Sequence, residues 1–177
     1  MGQINNRGFL LRAGSGLEAR VVRSVTNRMK RRYGVFSYVF AGVLELIKPG
    51  KSHYELTLDG KKVETDGIAC LVANAGTLGQ LNMALNRSVD PADGLLDVFV
   101  VDNTVKSLLT TATSLILNRN VGKGFQHWQA HEVTVVSDPP QPVQADGDYW
   151  ENMTTPFEAS VLPQAIHLVV PNGIHNP

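Results

Sequence analysis

Residues 53–67 read HYELTLDGKKVETDG, two runs in which apolar and polar residues alternate about the dipeptide Asp59-Gly60. Alternation is the period of a half-buried strand, and Asp-Gly tolerates the positive φ angles that a two-residue hairpin turn requires. The stretch therefore predicts an antiparallel hairpin. Working outward, IACLVANAG (68–76) and LLDVFVVD (95–102) are almost continuously apolar, as strands buried on both faces are. Further on, HEVTVVS (131–137), PVQADGD (142–148), PFEASV (156–161) and AIHLVV (165–170) alternate again and break at Pro or Gly, so the C-terminal third also reads as β.

Upstream the texture changes. RGFLLRA (7–13) reads as a short strand ending in a Gly-rich turn, GSG (14–16). In the following segment Leu17, Val21, Val25 and Met29 recur every four positions, which predicts a helix up to Gly34. A second helix, FSYVFAGVLELI (36–47), stops at Pro49-Gly50, and a third is predicted over 105–118, where Val105, Leu108, Leu109, Ala112, Leu115 and Ile116 form one stripe. The expected class is α+β, a single domain over 1–177 with antiparallel strands dominant and about three helices.

At 177 residues and 43% hydrophobic content the chain is long enough to bury about 70% of its unfolded surface without a disulfide or metal staple. Its longest mainly apolar stretch, 38–47, carries Glu45 and is about half of what a membrane span needs. No export signal is read at the N-terminus, and the single Cys70 sits in an apolar run as a reduced, buried thiol would. A cytoplasmic location is expected. The net charge of zero hides an asymmetry: residues 1–51 hold ten Lys/Arg against two acids, and 52–177 hold six against fourteen. The basic part could face phosphates or an anionic membrane surface, or pair with the acidic part. Its cluster Arg28, Lys30, Arg31 and Arg32 is equally explained by cations favouring a helix C-terminus, and nucleic-acid binding finds no support.

There is no P-loop, G-x-S-x-G, H-E-x-x-H, C-x-x-C or G-x-G-x-x-G, and the five histidines lack metal-ligand spacing. His131 and His167 are expected on strands facing water, and Trp128 and Trp150 as packing residues. Two acidic loops remain. In SVDPADGLLD (88–97), Asp90 and Asp93 could turn carbonyls and a carboxylate onto a hard cation, or could form a solvated turn bonded to its own backbone. In VQADGDYW (143–150), a backbone extended through Gly147 would project Asp146 and Asp148 to one side, one as base and the other tuning it or meeting a metal; an ordinary turn is the alternative.

Taken in order, AGSGLEARVV, MKRRYGVFSYVFAGVLEL, VANAGTLGQ, DPADGLLDVFVV and VQADGDYW resemble the C-terminal domain of the bacterial diacylglycerol and lipid kinase family, related to sphingosine and ceramide kinases, over roughly 7–171. The last two are similar to the family's D-D-G-L-L-D-V and V-x-x-D-G-E-P-W motifs. The resemblance implies a β-sandwich-like fold. It also implies an Mg²⁺ held by the Asp93 carboxylate with the carbonyls of Asp90 and Leu95, and Asp146 as the general base that receives the proton of a lipid hydroxyl. Asp148 stands where the family has Glu, Tyr149 where it has Pro, and Ala75 where it has Gly.

The family's N-terminal ATP-binding domain, with its Gly-Gly-Asp-Gly-Thr motif, has no counterpart here. The resemblance therefore implies the acceptor half of an ATP-dependent kinase for a diacylglycerol-like lipid alcohol, inactive alone. Its partners would be the nucleotide-binding half, the lipid, a membrane surface approached by the basic helix, and a second copy if the exposed interdomain face self-associates. The alternative is a non-catalytic β-rich module that binds a lipid or a protein.

Overall fold

The computed structural model describes residues 1–17, 19–20, 50–75, 77–78, 83–84, 89–101 and 125–167. Their strands are β1 (Gly2–Ile4), β2 (Arg7–Phe9), β3 (Arg12–Gly16), β4 (Ser52–Leu58), β5 (Lys61–Gly67), β6 (Ala69–Ala73), β7 (Thr77–Leu78) and β8 (Met83–Ala84). They continue with β9 (Leu96–Val101), β10 (Phe125–Ala130), β11 (Glu132–Asp138), β12 (Pro142–Ala145), β13 (Asp148–Thr154) and β14 (Phe157–Val161). One sheet, A, has the order β2-β1-β14-β11-β4-β5, and the other, B, the order β10-β9-β6-β3-β12-β13; β7 and β8 form a small ladder of their own. Every neighbouring pair is antiparallel.

The two large sheets pack face to face. Leu56, Val133, Val135, Phe157 and Ile4 of sheet A share one core with Val72, Val98, Val100, Val143 and Trp150 of sheet B. This is a β-sandwich, with alternate residues of each strand turned into the common core. Strands β6 and β9 are buried at every position, as their apolar composition predicts. Among the residues of β6 and β9 that point away from the sandwich, Leu71, Ala73 and Phe99 form a second buried cluster with Val89. Trp150 lies in the core and Trp128 packs against it, while the Arg7 guanidinium sits 4.1 Å above the Trp150 ring. The buried Cys70 thiol is free, and burial pushes its pKa up to about 12.

Three expectations need correction. The GSG segment is not a turn: residues 14–16 lie inside β3, and the break falls earlier, at Leu10 and Leu11. Small residues are needed there because a Cβ on Gly16, whose φ is +87°, would sit 2.5 Å from the Ile68 carbonyl. Residues 165–167 are not a strand, so His167 lies on none, and His131 occupies the bend between β10 and β11. The count of about three helices finds no support among the described residues, which contain no complete helix. Leu17, Ala19 and Arg20 take helical backbone where the first was expected, and the other two fall outside the described residues.

Candidate functional site

Antiparallel register places Gln129, Asp97, Ala73 and Arg12 side by side across β10, β9, β6 and β3, at one end of sheet B. Both acidic loops open from this end. The loop over 90–95 leads into β9, and Asp146 follows Ala145, which pairs with Ala13. Three strand intervals at about 4.8 Å separate β9 from β12, so the two loops stand ~14 Å apart along the rim. Asp90, Asp93 and Leu95 thus share one loop and Asp146 and Asp148 one hairpin, and the two sets stand apart.

The backbone is not extended through Gly147. Asp146 and Gly147 have φ of 52° and 86° and form the two-residue turn of the β12–β13 hairpin, so Asp146 and Asp148 do not project side by side. Asp148 opens β13 as an exposed residue opposite Ala145. The exposed Asp146 carboxylate reaches across to the chain that enters β3. Its Oδ2 accepts from the Leu10 amide at 2.7 Å, and its Oδ1 from those of Leu11 and Arg12 at 2.8 and 3.1 Å. Asn74 holds the same segment from its other flank: its side-chain amide donates to the Leu10 carbonyl at 3.0 Å and its backbone amide to that of Leu11 at 2.9 Å. Leu10 itself is 46% exposed, an apolar side chain left on the rim beside Asp146.

In the other loop each Asp bonds its own backbone. Asp90 Oδ1 accepts from the Ala92 amide and Asp93 Oδ1 from the Leu95 amide, each at 2.9 Å, while Gly94 at φ +78° makes the bend. These are Asx turns, the ordinary alternative that the sequence allows. The Asp93 Oδ2 atom has a weak contact, 3.5 Å, with the Gln129 amide. Among the described residues no three His, Cys, Asp or Glu side chains gather as a metal set.

The sequence reading passes over Asp97, His127 and Gln129. Asp97 is 1% exposed in β9, and its Oδ1 meets His127 Nε2 at 2.5 Å. Burial raises its carboxyl above the ordinary range, and the His127 ring opposes that rise. His127 lies flat on Phe99, with ring centroids 4.5 Å apart and planes 8° apart. A signal was available: an acid within LLDVFVV, a strand buried on both faces, has to find a partner.

The sequence model described as the YegS C-terminal NAD kinase beta sandwich-like domain matches residues 12–170. A Staphylococcus epidermidis protein named "Putative lipid kinase" is 29% identical over 178 residues, covering 98% of this chain and 57% of that protein. A Staphylococcus aureus protein of the same name is 27% identical, covering 97% and 56%. The chain therefore spans little more than half the length of these relatives. Among solved structures, a "putative diacylglycerol kinase" from Bacillus anthracis superposes with a TM-score of 0.69 at 20% identity, covering 92% of this chain and 52% of that one. A second diacylglycerol kinase structure from that organism gives a TM-score of 0.57 at 16% identity, and both likenesses concern the fold. With two six-stranded antiparallel sheets and a match over most of its length, the chain belongs to the YegS C-terminal NAD kinase beta sandwich-like domains, the C-terminal β-sandwich of the lipid and diacylglycerol kinase family.

Proposed function

We propose that this chain is the acceptor half of an ATP-dependent kinase that phosphorylates a diacylglycerol-like lipid hydroxyl, and that Asp146 is its general base. The observation that carries the reading is the grip of Asp146 and Asn74 on one segment, residues 10–12, at the rim of sheet B. Phosphoryl transfer depends on positioning and on a group to receive the hydroxyl proton as the new O–P bond forms. An exposed carboxylate fixed by three backbone amides is held in one place for that task, with lone pairs left on its oxygens. Leu10 beside it offers an apolar surface to the lipid, and Asp148 stands one residue beyond the turn, available to the polar head.

The nucleotide grip belongs to the other half of the enzyme. Oxygen donors only, from Asp93, Asp90 and Leu95, suit a hard divalent cation such as Mg²⁺, and the buried, unpartnered Oδ2 of Asp97 close by supports that fit. The cation would supply positive charge that fixes the loop beside β9. The basic stretch 20–32 would face an anionic bilayer; it lies largely outside the described residues. No described helix is long and apolar enough to cross a membrane.

The test is label transfer from γ-labelled ATP to diacylglycerol. The 177-residue chain alone is expected to be inactive, and a full-length kinase carrying this domain active and dependent on Asp146. Transfer by the isolated chain that Asp146→Asn abolishes would overturn the reading of this chain as an acceptor half. Vesicle co-sedimentation checks the membrane contact, which is refuted if binding ignores both anionic lipid and Arg31/Arg32→Gln.

A second reading, a non-catalytic lipid- or protein-binding module, has one observation in its favour. The hairpin at Asp59-Gly60, on the other sheet, ties its Asp to neighbouring amides in the same way. A full-length protein that binds lipid but shows no transfer would select it.

A further inference from the structure

Asp97 is placed where a carboxylate is hard to keep. Register sets it between Ala73 and Gln129 in a strand buried at all six positions. Its Oδ1 is engaged by His127, but its Oδ2 is buried and has no hydrogen-bond partner among the described residues. Carboxylates in such positions are kept by pairing or by coordination.

The Asp93 carboxylate and the Gln129 amide also act on Asp97. Gln129 also reaches Asp93 Oδ2, so one neutral amide adjoins two acids. The two carboxylates and the loop carbonyls make an all-oxygen set that selects Mg²⁺, Mn²⁺ or Ca²⁺ over softer ions. His127 completes the arrangement from behind. Its ring is stacked on Phe99, and its Nε2 meets Oδ1 and orients the Asp97 carboxylate as outer partners orient metal ligands.

We propose that Asp97 is the second carboxylate of a divalent-cation site shared with the Asp93 loop, and that His127 is its positioning residue. This rests on the reading of that loop as a cation holder. It adds a buried anchor in β9 to a loop whose own side chains are otherwise occupied with Asx turns.

The experiment is calorimetric titration of the 177-residue chain with MgCl₂ and with MnCl₂, with melting in EDTA recorded for each variant. Wild type is expected to bind the cation, Asp97→Asn to bind at least about tenfold more weakly, and His127→Gln to lose about tenfold with Asp97 intact. Melting in EDTA separates loss of the site from loss of the fold. If Asp97→Asn binds like wild type while Asp93→Asn does not, the inference is overturned and the loop reading stands. If neither metal binds wild type, both fall. Weak binding by Asp97→Asn with Asp93→Asn unchanged keeps Asp97 as a ligand and removes Asp93 from the loop reading. Should Asp97→Asn fail to fold, His127→Gln decides, and wild-type affinity in that variant overturns the inference.

Discussion

Two hairpins of this molecule are built alike and sit on different sheets. At β4–β5, Asp59 and Gly60 have φ of 46° and 82°; at β12–β13, Asp146 and Gly147 have 52° and 86°. In each, the turn Asp stretches to the first amides of the strand flanking its hairpin: Asp59 takes those of His131 and Glu132, and Asp146 those of Leu10, Leu11 and Arg12. Each also donates its own amide to that strand, Asp59 to the Glu132 carbonyl and Asp146 to that of Arg12. An Asp at the first turn position is thus a general splice between a hairpin and the neighbouring strand. What distinguishes Asp146 is its setting. It has a third amide, the Asn74 contacts on the same segment and an exposed Leu10, whereas Asp59 has the His131 ring at 3.3 Å.

The comparison is broken most sharply by activity. In a full-length kinase carrying this domain, Asp146→Asn is expected to lower kcat by about 10²–10⁴-fold, the usual contribution of a general base, while Asp59→Asn leaves it within about twofold. Equal effects would reduce Asp146 to a splice. Next in size is stability. Asp146→Ala removes three charge-assisted bonds at an exposed site and is expected to cost about 1–2 kcal/mol in urea unfolding, more than Asp59→Ala. A smaller loss than Asp59→Ala would show that the third amide is idle.

Gly60→Ala and Gly147→Ala form a matched pair, since a Cβ at either meets nothing within 4 Å and only the positive φ resists it. Each should cost about 1 kcal/mol, and a difference of more than about 0.5 between them would mean that the turns are not equivalent. The smallest effect is in pH dependence. The Glu132 and His131 amides hold the Asp59 carboxyl below the ordinary range. A depressed carboxyl stabilises the fold above its unfolded value and loses that contribution as pH falls through the folded value. The melting temperature of Asp59→Asn should therefore fall less steeply than that of wild type below about pH 4. Parallel curves would remove the splice from Asp59.

The β-sandwich was legible where side chains alternate or run apolar, because burial on one or two faces writes those patterns directly. Asp59-Gly60 was read as a turn from its dipeptide. The same dipeptide at 146–147 was also weighed as extended, because two flanking carboxylates suggested a shared side; backbone chemistry decided for the turn. GSG misled because small residues serve turns and tightly packed strands alike, and only the closeness of the Ile68 carbonyl to Gly16 tells them apart. Strand β10 was missed since FQHWQA mixes exposed polar residues with one packing Trp, a weak alternation. The neighbours of Asp97 follow from register, which no local pattern contains.

The rim of sheet B also has a history in time. The bonds that fix residues 10–12 join Leu10 to Asn74 across 64 positions and to Asp146 across 136. Contacts so distant in sequence are made only after the chain has paid the entropy of closing large loops, so they belong to the late part of folding. A nascent chain that has emerged only as far as β9 lacks β11 and β14 of sheet A and β10, β12 and β13 of sheet B, and its Leu10, Leu11 and Arg12 amides still await their acceptor. The rim that the proposed chemistry uses is completed only with the β12–β13 hairpin, in the same C-terminal part of the chain that supplies Val133, Val135 and Phe157 to the core.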